Sequence, residues 1–241
     1  MRVVFLGEGP LDVGRPSTHP RVPRDHEGDL PRLTRRLFGA YGGPERFGYD
    51  ALTITEIVSQ IPRGGRATRA GGKGKDLRDA VVATLRNPPP SAAAIVAVID
   101  ARLDELDDLQ ADAREILRQC QELRGDITVV IGFAVQEIEV WMVASPTSRA
   151  AAFGQAVGAA HVPAVLEHVG DPKTLWLERA GHIAAGAPDP ELFADRQRCC
   201  AWEALDPEVV AKLCPRGFRP LRDEIRALVE ARFKRSSAAD P

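Results

Sequence analysis

Aromatic residues make up only 5% of the 241-residue chain, cysteines number four, and neither sign of charge dominates. Cys120, Cys199, Cys200 and Cys214 form no Cys-x-x-Cys pair, and two of them are adjacent. That pattern argues against a disulfide-stapled scaffold, and reduced, intracellular thiols are expected. Lys and Arg total 32 against 34 Asp and Glu, a formal charge of −2, so the chain is not basic all over, although a local basic patch remains compatible with it. Long apolar runs are missing as well: nothing approaches the roughly 20 residues of a membrane span. The opening run Val3-Val4-Phe5-Leu6 is too short for the core of a signal peptide. A cytoplasmic protein with no membrane partner is the expectation.

What the chain has is 44% hydrophobic residues, over a length that buries a core without staples. Arg2 to Gly7 reads as a buried strand that stops at Gly-Glu-Gly-Pro, and residues 10–26 read as loop. Gly28 or Asp29 caps a helix carrying Leu30, Leu33, Leu37 and Phe38, ending near Gly42-Gly43. Leu52, Ile54, Ile57 and Val58 suggest a weaker strand. A helix from Asp76 carries Leu77, Val81, Val82 and Leu85 as far as Pro88-Pro89-Pro90. The clearest strand is Ala93 to Asp100, which ends on a carboxylate. Leu103 to Leu123 keeps a helical period up to Gly125, Ile127 to Phe133 is a further strand, and a short helix runs through Glu137, Glu139, Trp141 and Met142. Strands alternating with helices in this way imply a mainly parallel sheet with right-handed crossovers. Beyond Pro146 the strand signals vanish. Short helical segments around Val162, Leu175, Leu192, Val209 and Ile225 are expected, with residues 235–241 frayed.

In open α/β sheets ligands bind beyond the carboxyl ends of the strands, and there this sequence is acidic. Glu8 and Asp12 follow the first strand, Asp100 ends the third, and Glu137 and Glu139 follow the fourth. Carboxylates gathered at one edge repel unless a cation neutralises them, and Mg²⁺ favours such oxygen ligands with a phosphate completing its shell. The competing interpretation is that Asp100 and Glu8 merely serve a helix start and a turn. Residues Arg63 to Lys75 hold five cations (Arg63, Arg66, Arg69, Lys73 and Lys75), five glycines and no anion, a loop suited to contacting phosphates without reading bases. Gly72-Lys73-Gly74 lacks the following Ser/Thr of a P-loop, and neither a Gly-x-Ser-x-Gly elbow nor a dinucleotide fingerprint occurs. His161 and His168 stand without a ligand cluster, and Trp141 is expected in the core.

Gly7-Glu8-Gly9-Pro10-Leu11-Asp12 after a first strand, followed later by Ile99-Asp100, resembles a Toprim domain. Glu139-Val140-Trp141-Met142-Val143-Ala144, Asp171-Pro172-Lys173 and the closing Cys214-Pro-Arg-Gly-Phe218-Arg-Pro-Leu221 are similar to a Toprim-like bacterial family of unknown function. The resemblance implies an α/β fold: a Toprim-like, mainly parallel sheet flanked by helices over residues 1–145, with a helical C-terminal region over 146–241. It also implies the activity of Toprim topoisomerases, primases and overcoming-lysogenization-defect nucleases, in which an acidic triad binds Mg²⁺ (or Mn²⁺) for phosphodiester chemistry. Glu8 and Asp100 would be the catalytic acids. Asp12, Asp104 and Glu139 would join them around the metal. Where the family's Asp-x-Asp pair has its second aspartate this chain has Arg102, and a second Glu-Gly at Glu27-Gly28 is an alternative position for the family's glutamate. The implied function is a nuclease of bacterial antiphage defence with a partner ATPase. The alternative is a catalytically degenerate adaptor that binds a partner protein or nucleic acid, in which Arg102 neutralises the carboxylates. A phosphotransferase or phosphatase for a small molecule is a third class compatible with the same sheet edge.

Overall fold

Continuous apolar strands require cover on both faces, and the computed structural model, which describes residues 2–14, 27–44, 47–61, 72–136, 138–158 and 190–234, supplies it. Its centre is a four-stranded, all-parallel sheet of β1 (Arg2–Gly7), β2 (Gly48–Thr53), β3 (Ala92–Ala101) and β4 (Thr128–Val135), in the order β2-β1-β3-β4. The register sets Leu6 beside Leu52 on one side and Ala97 on the other, and Asp100 beside Ala134.

Alternate residues of each strand enter two separate cores. Val3 and Phe5 pack with Leu30, Leu33, Leu37 and Phe38 of α2 (Asp29–Ala40), after the short α1 (Pro10–Val13). Val4 and Leu6 face the other way, with Ile54 and Val58 of α3 (Ile54–Gln60), Leu77 and Val81 of α4 (Lys73–Arg86), and Leu109 and Ile116 of α5 (Leu106–Arg124). The chain thus winds out from β1 to β2 along one face and back past β1 to β3 along the other. This is the doubly wound arrangement, which opens a crevice between the carboxyl ends of β1 and β3.

The C-terminal helices complete the layer that α2 begins. They follow as α6 (Glu139–Ala144), α7 (Pro146–Phe153), α8 (Gln155–Gly158), α9 (Pro190–Glu203), α10 (Pro207–Leu213) and α11 (Phe218–Val229). Phe218, Leu221, Ile225 and Leu228 recur at helical spacing along α11 and are buried in the same core as Val130 and Ala134 of β4. Leu221 lies so close to Gly132 that a Cβ built there would stand 2.9 Å from its Cδ1. Trp141 packs edge-on against Phe218 with ring centroids 5.3 Å apart, in the core as its sequence context suggests.

Three elements differ from the sequence reading. Pro10–Val13, within the stretch read as loop, forms the short α1, started by the Asp12 carboxylate accepting from the Gly9 amide. Ile54, Ile57 and Val58 are helical, because Thr53 and Glu56 close a capping box in which the Thr53 side chain accepts from the Glu56 amide and Glu56 accepts from the Thr53 amide; the strand lies just before it. Helix α4 starts at Lys73 rather than Asp76, so the end of the basic glycine run is helical. Gly74 is what lets α4 approach α5, since a methyl there would collide with the Asp112 carboxylate. Arg63, Arg66, Arg69, Glu137, His161, His168, the Asp171-Pro172-Lys173 motif, the segments around Val162 and Leu175, and residues 235–241 lie outside the described residues. No helix among the described residues is long and apolar enough to cross a membrane.

Gly132→Ala is expected to destabilise the fold by about 1–3 kcal/mol through overpacking against Leu221. A lower urea midpoint with an unchanged slope is the expected readout, and an unchanged midpoint would refute the tight seating of α11 on β4.

Candidate metal and phosphate site at the sheet edge

Strand β1 ends at Gly7, which puts Glu8 at the mouth of the crevice, and β3 carries Asp100 as its penultimate residue. The two elements are hydrogen-bonded neighbours, so both acids share one edge without any loop having to deliver them. The Asp100 backbone amide faces the Glu8 carboxylate. Lys73, the first residue of α4, reaches over the same edge: its Nζ donates to the Asp100 carbonyl at 2.7 Å and lies 3.3 Å from Glu105 Oε1. Loss of solvent raises the Glu8 pKa above the ordinary glutamate value and Glu105 adds to the rise, while Lys73 and the Asp100 amide oppose it. Glu105 moves the other way, held down first by the Arg102 amide that donates to it at 2.8 Å and then by Lys73. The crevice therefore holds carboxylates of unequal basicity beside one ammonium group.

Arg102 is not in it. Its side chain is 75% exposed and its Nη2 donates to Asp104 Oδ2 at 2.7 Å, so the two residues that could have altered the crevice, one as a neutralising cation and one as a substitute ligand, pair with each other at the surface. Glu27 is likewise taken, its carboxylate gripped at both oxygens by the Arg35 fork. Glu8 is the glutamate at the strand end.

Asp12 and Glu139 belong to a different constellation. Glu139 opens α6, Asp29 opens α2, and both are buried, as is Arg198 of α9 between them. One Arg198 terminal nitrogen donates to Asp29 and the other to Glu139 Oε1 at 3.0 Å; the second Asp29 oxygen accepts from Trp202 Nε1 at 2.7 Å. Asp29 consequently makes no cap for its own helix, and Gly28 at the N-cap offers no side chain for one. Asp12 accepts from the Gly9 amide at 2.8 Å, and its carboxyl is pushed up to about 6, chiefly by burial, with Asp29 and Glu139 adding to the rise and Arg198 opposing it. The five acids read from the sequence thus divide into a crevice pair, a buried set around Arg198 and a surface pair with Arg102. Among the described residues no three His, Cys, Asp or Glu side chains are spaced to enclose a metal ion.

Of the basic run, Lys73 stands at the crevice and Lys75 is exposed, its backbone amide donating to the Gly72 carbonyl at 2.9 Å. The sequence offered Asp29 only as a helix cap, Glu105 only as an acid following Arg102, and Arg198 as one of a C-terminal basic set (Arg196, Arg198, Arg216, Arg219, Arg222) suited to salt bridges with neighbouring acids; it offered Gln136 no role. Arg198 meets its partners across 169 and 59 residues, which no local pattern announces. Gln136 follows β4 with φ of 71°, a left-handed backbone that a non-glycine residue adopts at a cost, and its amide donates to the Ala101 carbonyl at 2.7 Å beside Asp100.

Arg198→Ala is expected to cost about 3–5 kcal/mol, because it leaves Asp29 and Glu139 buried and unpaired. A urea midpoint close to wild type would overturn the bridging role. Asp12 sets a pH dependence. Its folded value of about 6 exceeds the ordinary 3.8, so within that window the native state binds more protons than the unfolded chain, and stability falls as pH rises. Asp12→Asn should therefore gain on wild type by about 2 kcal/mol between about pH 4 and about pH 7. Parallel unfolding curves at the two pH values would contradict this.

Set against known proteins, the chain matches no family model, no curated protein and no solved structure.

Proposed function

We propose that this chain is a Mg²⁺- or Mn²⁺-dependent nucleic-acid enzyme of the Toprim type, a nuclease that hydrolyses phosphodiesters at the crevice between β1 and β3. The observation that carries the reading is the pairing of Glu8 and Asp100 at the point where the winding of the sheet reverses, with Arg102 turned out to solvent. The donor set suits Mg²⁺, which is held by one or two carboxylates and completes its shell with water and substrate phosphate, without a closed protein cage. Glu8 and Asp100 would be its ligands. A bound Mg²⁺ supplies charge neutralisation at the phosphate and a water of lowered pKa. Glu8, with its raised pKa, is the group suited to exchange a proton at that position. Lys73 stands where it can meet a phosphate oxygen, and the preceding basic run would follow the strand by charge alone. A partner ATPase and a place in antiphage defence follow from the family resemblance.

One observation favours a second reading. Lys73 already places a cation among the Glu8, Asp100 and Glu105 groups, so the edge is partly neutralised without metal. An adaptor that binds nucleic acid or a protein partner needs no more than that.

Titrating the full chain with Mn²⁺ by calorimetry separates the two. The metalloenzyme reading expects saturable binding to wild type, loss of binding in a Glu8→Gln/Asp100→Asn variant with an unchanged circular dichroism spectrum, and parallel loss of Mn²⁺-dependent cleavage of nucleic acid. Wild type that binds no Mn²⁺, alone or with an oligonucleotide present, refutes it and leaves the adaptor.

A further inference from the structure

Lys73 is the first residue of α4, and the glycine beside it is what seats it. A Cβ on Gly74 would stand 2.1 Å from Asp112 Oδ2, so α4 lies closer to α5 there than any side chain allows. Leu77, Ala80 and Val81, further along the helix, are buried and hold it against the sheet. The Lys73 backbone is thereby fixed above the strand ends, and its side chain, 42% exposed, is the part left able to turn.

The ammonium acts on three groups of the crevice. It donates to the Asp100 carbonyl at 2.7 Å, lies 3.3 Å from Glu105 Oε1 and attracts the Glu8 carboxylate. A divalent cation held by Glu8 and Asp100 would enter the same few ångströms. Like charges repel there, and a partly buried crevice screens them less than bulk water does. A phosphodiester arriving with that cation changes the balance. Lysine carries three donors on a flexible four-carbon stem, so Lys73 can exchange the carbonyl for a phosphate oxygen without moving α4.

We propose that Lys73 couples metal to phosphate at this crevice: its ammonium opposes a divalent cation that comes alone and turns to the phosphate when the two come together. This coupling rests on the metalloenzyme reading of Glu8 and Asp100 and adds to it a dependence of each ligand on the other. Free metal binds weakly, nucleic acid tightens it, and by linkage the metal tightens nucleic acid by the same factor. A lysine that merely contacted phosphate would, when removed, weaken nucleic acid equally with and without metal. One that merely supported the fold would weaken both ligands. Only the coupling role makes removal of Lys73 favour the metal.

Calorimetric titration of the full chain with Mn²⁺ reads the metal affinity. Anisotropy of a fluorescent oligothymidylate with cleavage-resistant phosphorothioate linkages reads the nucleic-acid affinity with and without Mn²⁺. Lys73→Met, folded by circular dichroism, is expected to bind Mn²⁺ alone about tenfold tighter than wild type, and Lys73→Arg, which keeps the charge, within about threefold of it. In wild type Mn²⁺ is expected to tighten the oligonucleotide about tenfold. In Lys73→Met that gain should fall to about threefold or less, the remainder being the direct pull of the cation on the phosphate. An oligonucleotide with uncharged methylphosphonate linkages should gain nothing. The proposal is overturned, with the metalloenzyme reading intact, if wild type and Lys73→Met bind Mn²⁺ equally, if Lys73→Met binds it more weakly, or if the Mn²⁺-dependent gain is the same in both. If neither protein binds Mn²⁺, with or without the oligonucleotide, the metalloenzyme reading fails and the coupling falls with it.

Discussion

Arg198 is buried between Asp29 and Glu139, each at the start of a helix that leaves the carboxyl edge of the sheet. Three buried ionic groups persist only when each satisfies the others, because the desolvation of any one alone exceeds what packing returns. The consequence is geometric: α9 cannot move without uncovering charge, so α2, α6 and α9 are locked at one end of the molecule. Trp202 joins the same lock through Asp29, and Ser148 of α7 donates to the Ala201 carbonyl of α9 at 2.8 Å. The helical C-terminal region thereby becomes a structural layer of the sheet.

That lock also divides the carboxylates of the edge. Glu139 and Asp29 are spent on Arg198, and Asp12 leans toward the same cluster with a proton held more tightly than usual. Glu8 and Asp100 lie instead at the ends of β1 and β3, where α4 brings an ammonium group. The acidic groups of this edge are thereby partitioned: the buried set around Arg198 fixes shape, and Glu8 and Asp100 meet Lys73. Gln136 borders Asp100 in a backbone conformation that costs energy, held by its backbone amide donating to the Ala101 carbonyl.

Much of the fold was legible locally. The strands Arg2–Gly7 and Ala92–Ala101 announce themselves as unbroken apolar runs, and α2 shows its stripe of Leu30, Leu33, Leu37 and Phe38, because periodicity reports burial directly. Ile54, Ile57 and Val58 misled because a short apolar segment fits either period. The capping box at Thr53 and Glu56, a side-chain contact and not a pattern, settles it as helix. Lys73 read as loop because glycines around it favour one, yet Gly74 is there for the approach of α4 to Asp112.

The sequence by itself determined the alternation of strand and helix, the acidic strand ends and the placing of Glu8 and Asp100 at them, since each depends on residues within one or two turns of chain. Only the tertiary structure decided which acids stay together. Arg198, contributed from a distant helix, takes Glu139 and Asp29, and Arg102 turns outward to Asp104, so five candidates reduce to a pair. Tertiary packing likewise brought Lys73 of α4 to the Asp100 carbonyl and Glu105. The physical reason is the same in each case: charges choose partners by distance in space, and α9 lies more than 150 residues along the chain from the aspartate it meets on α2.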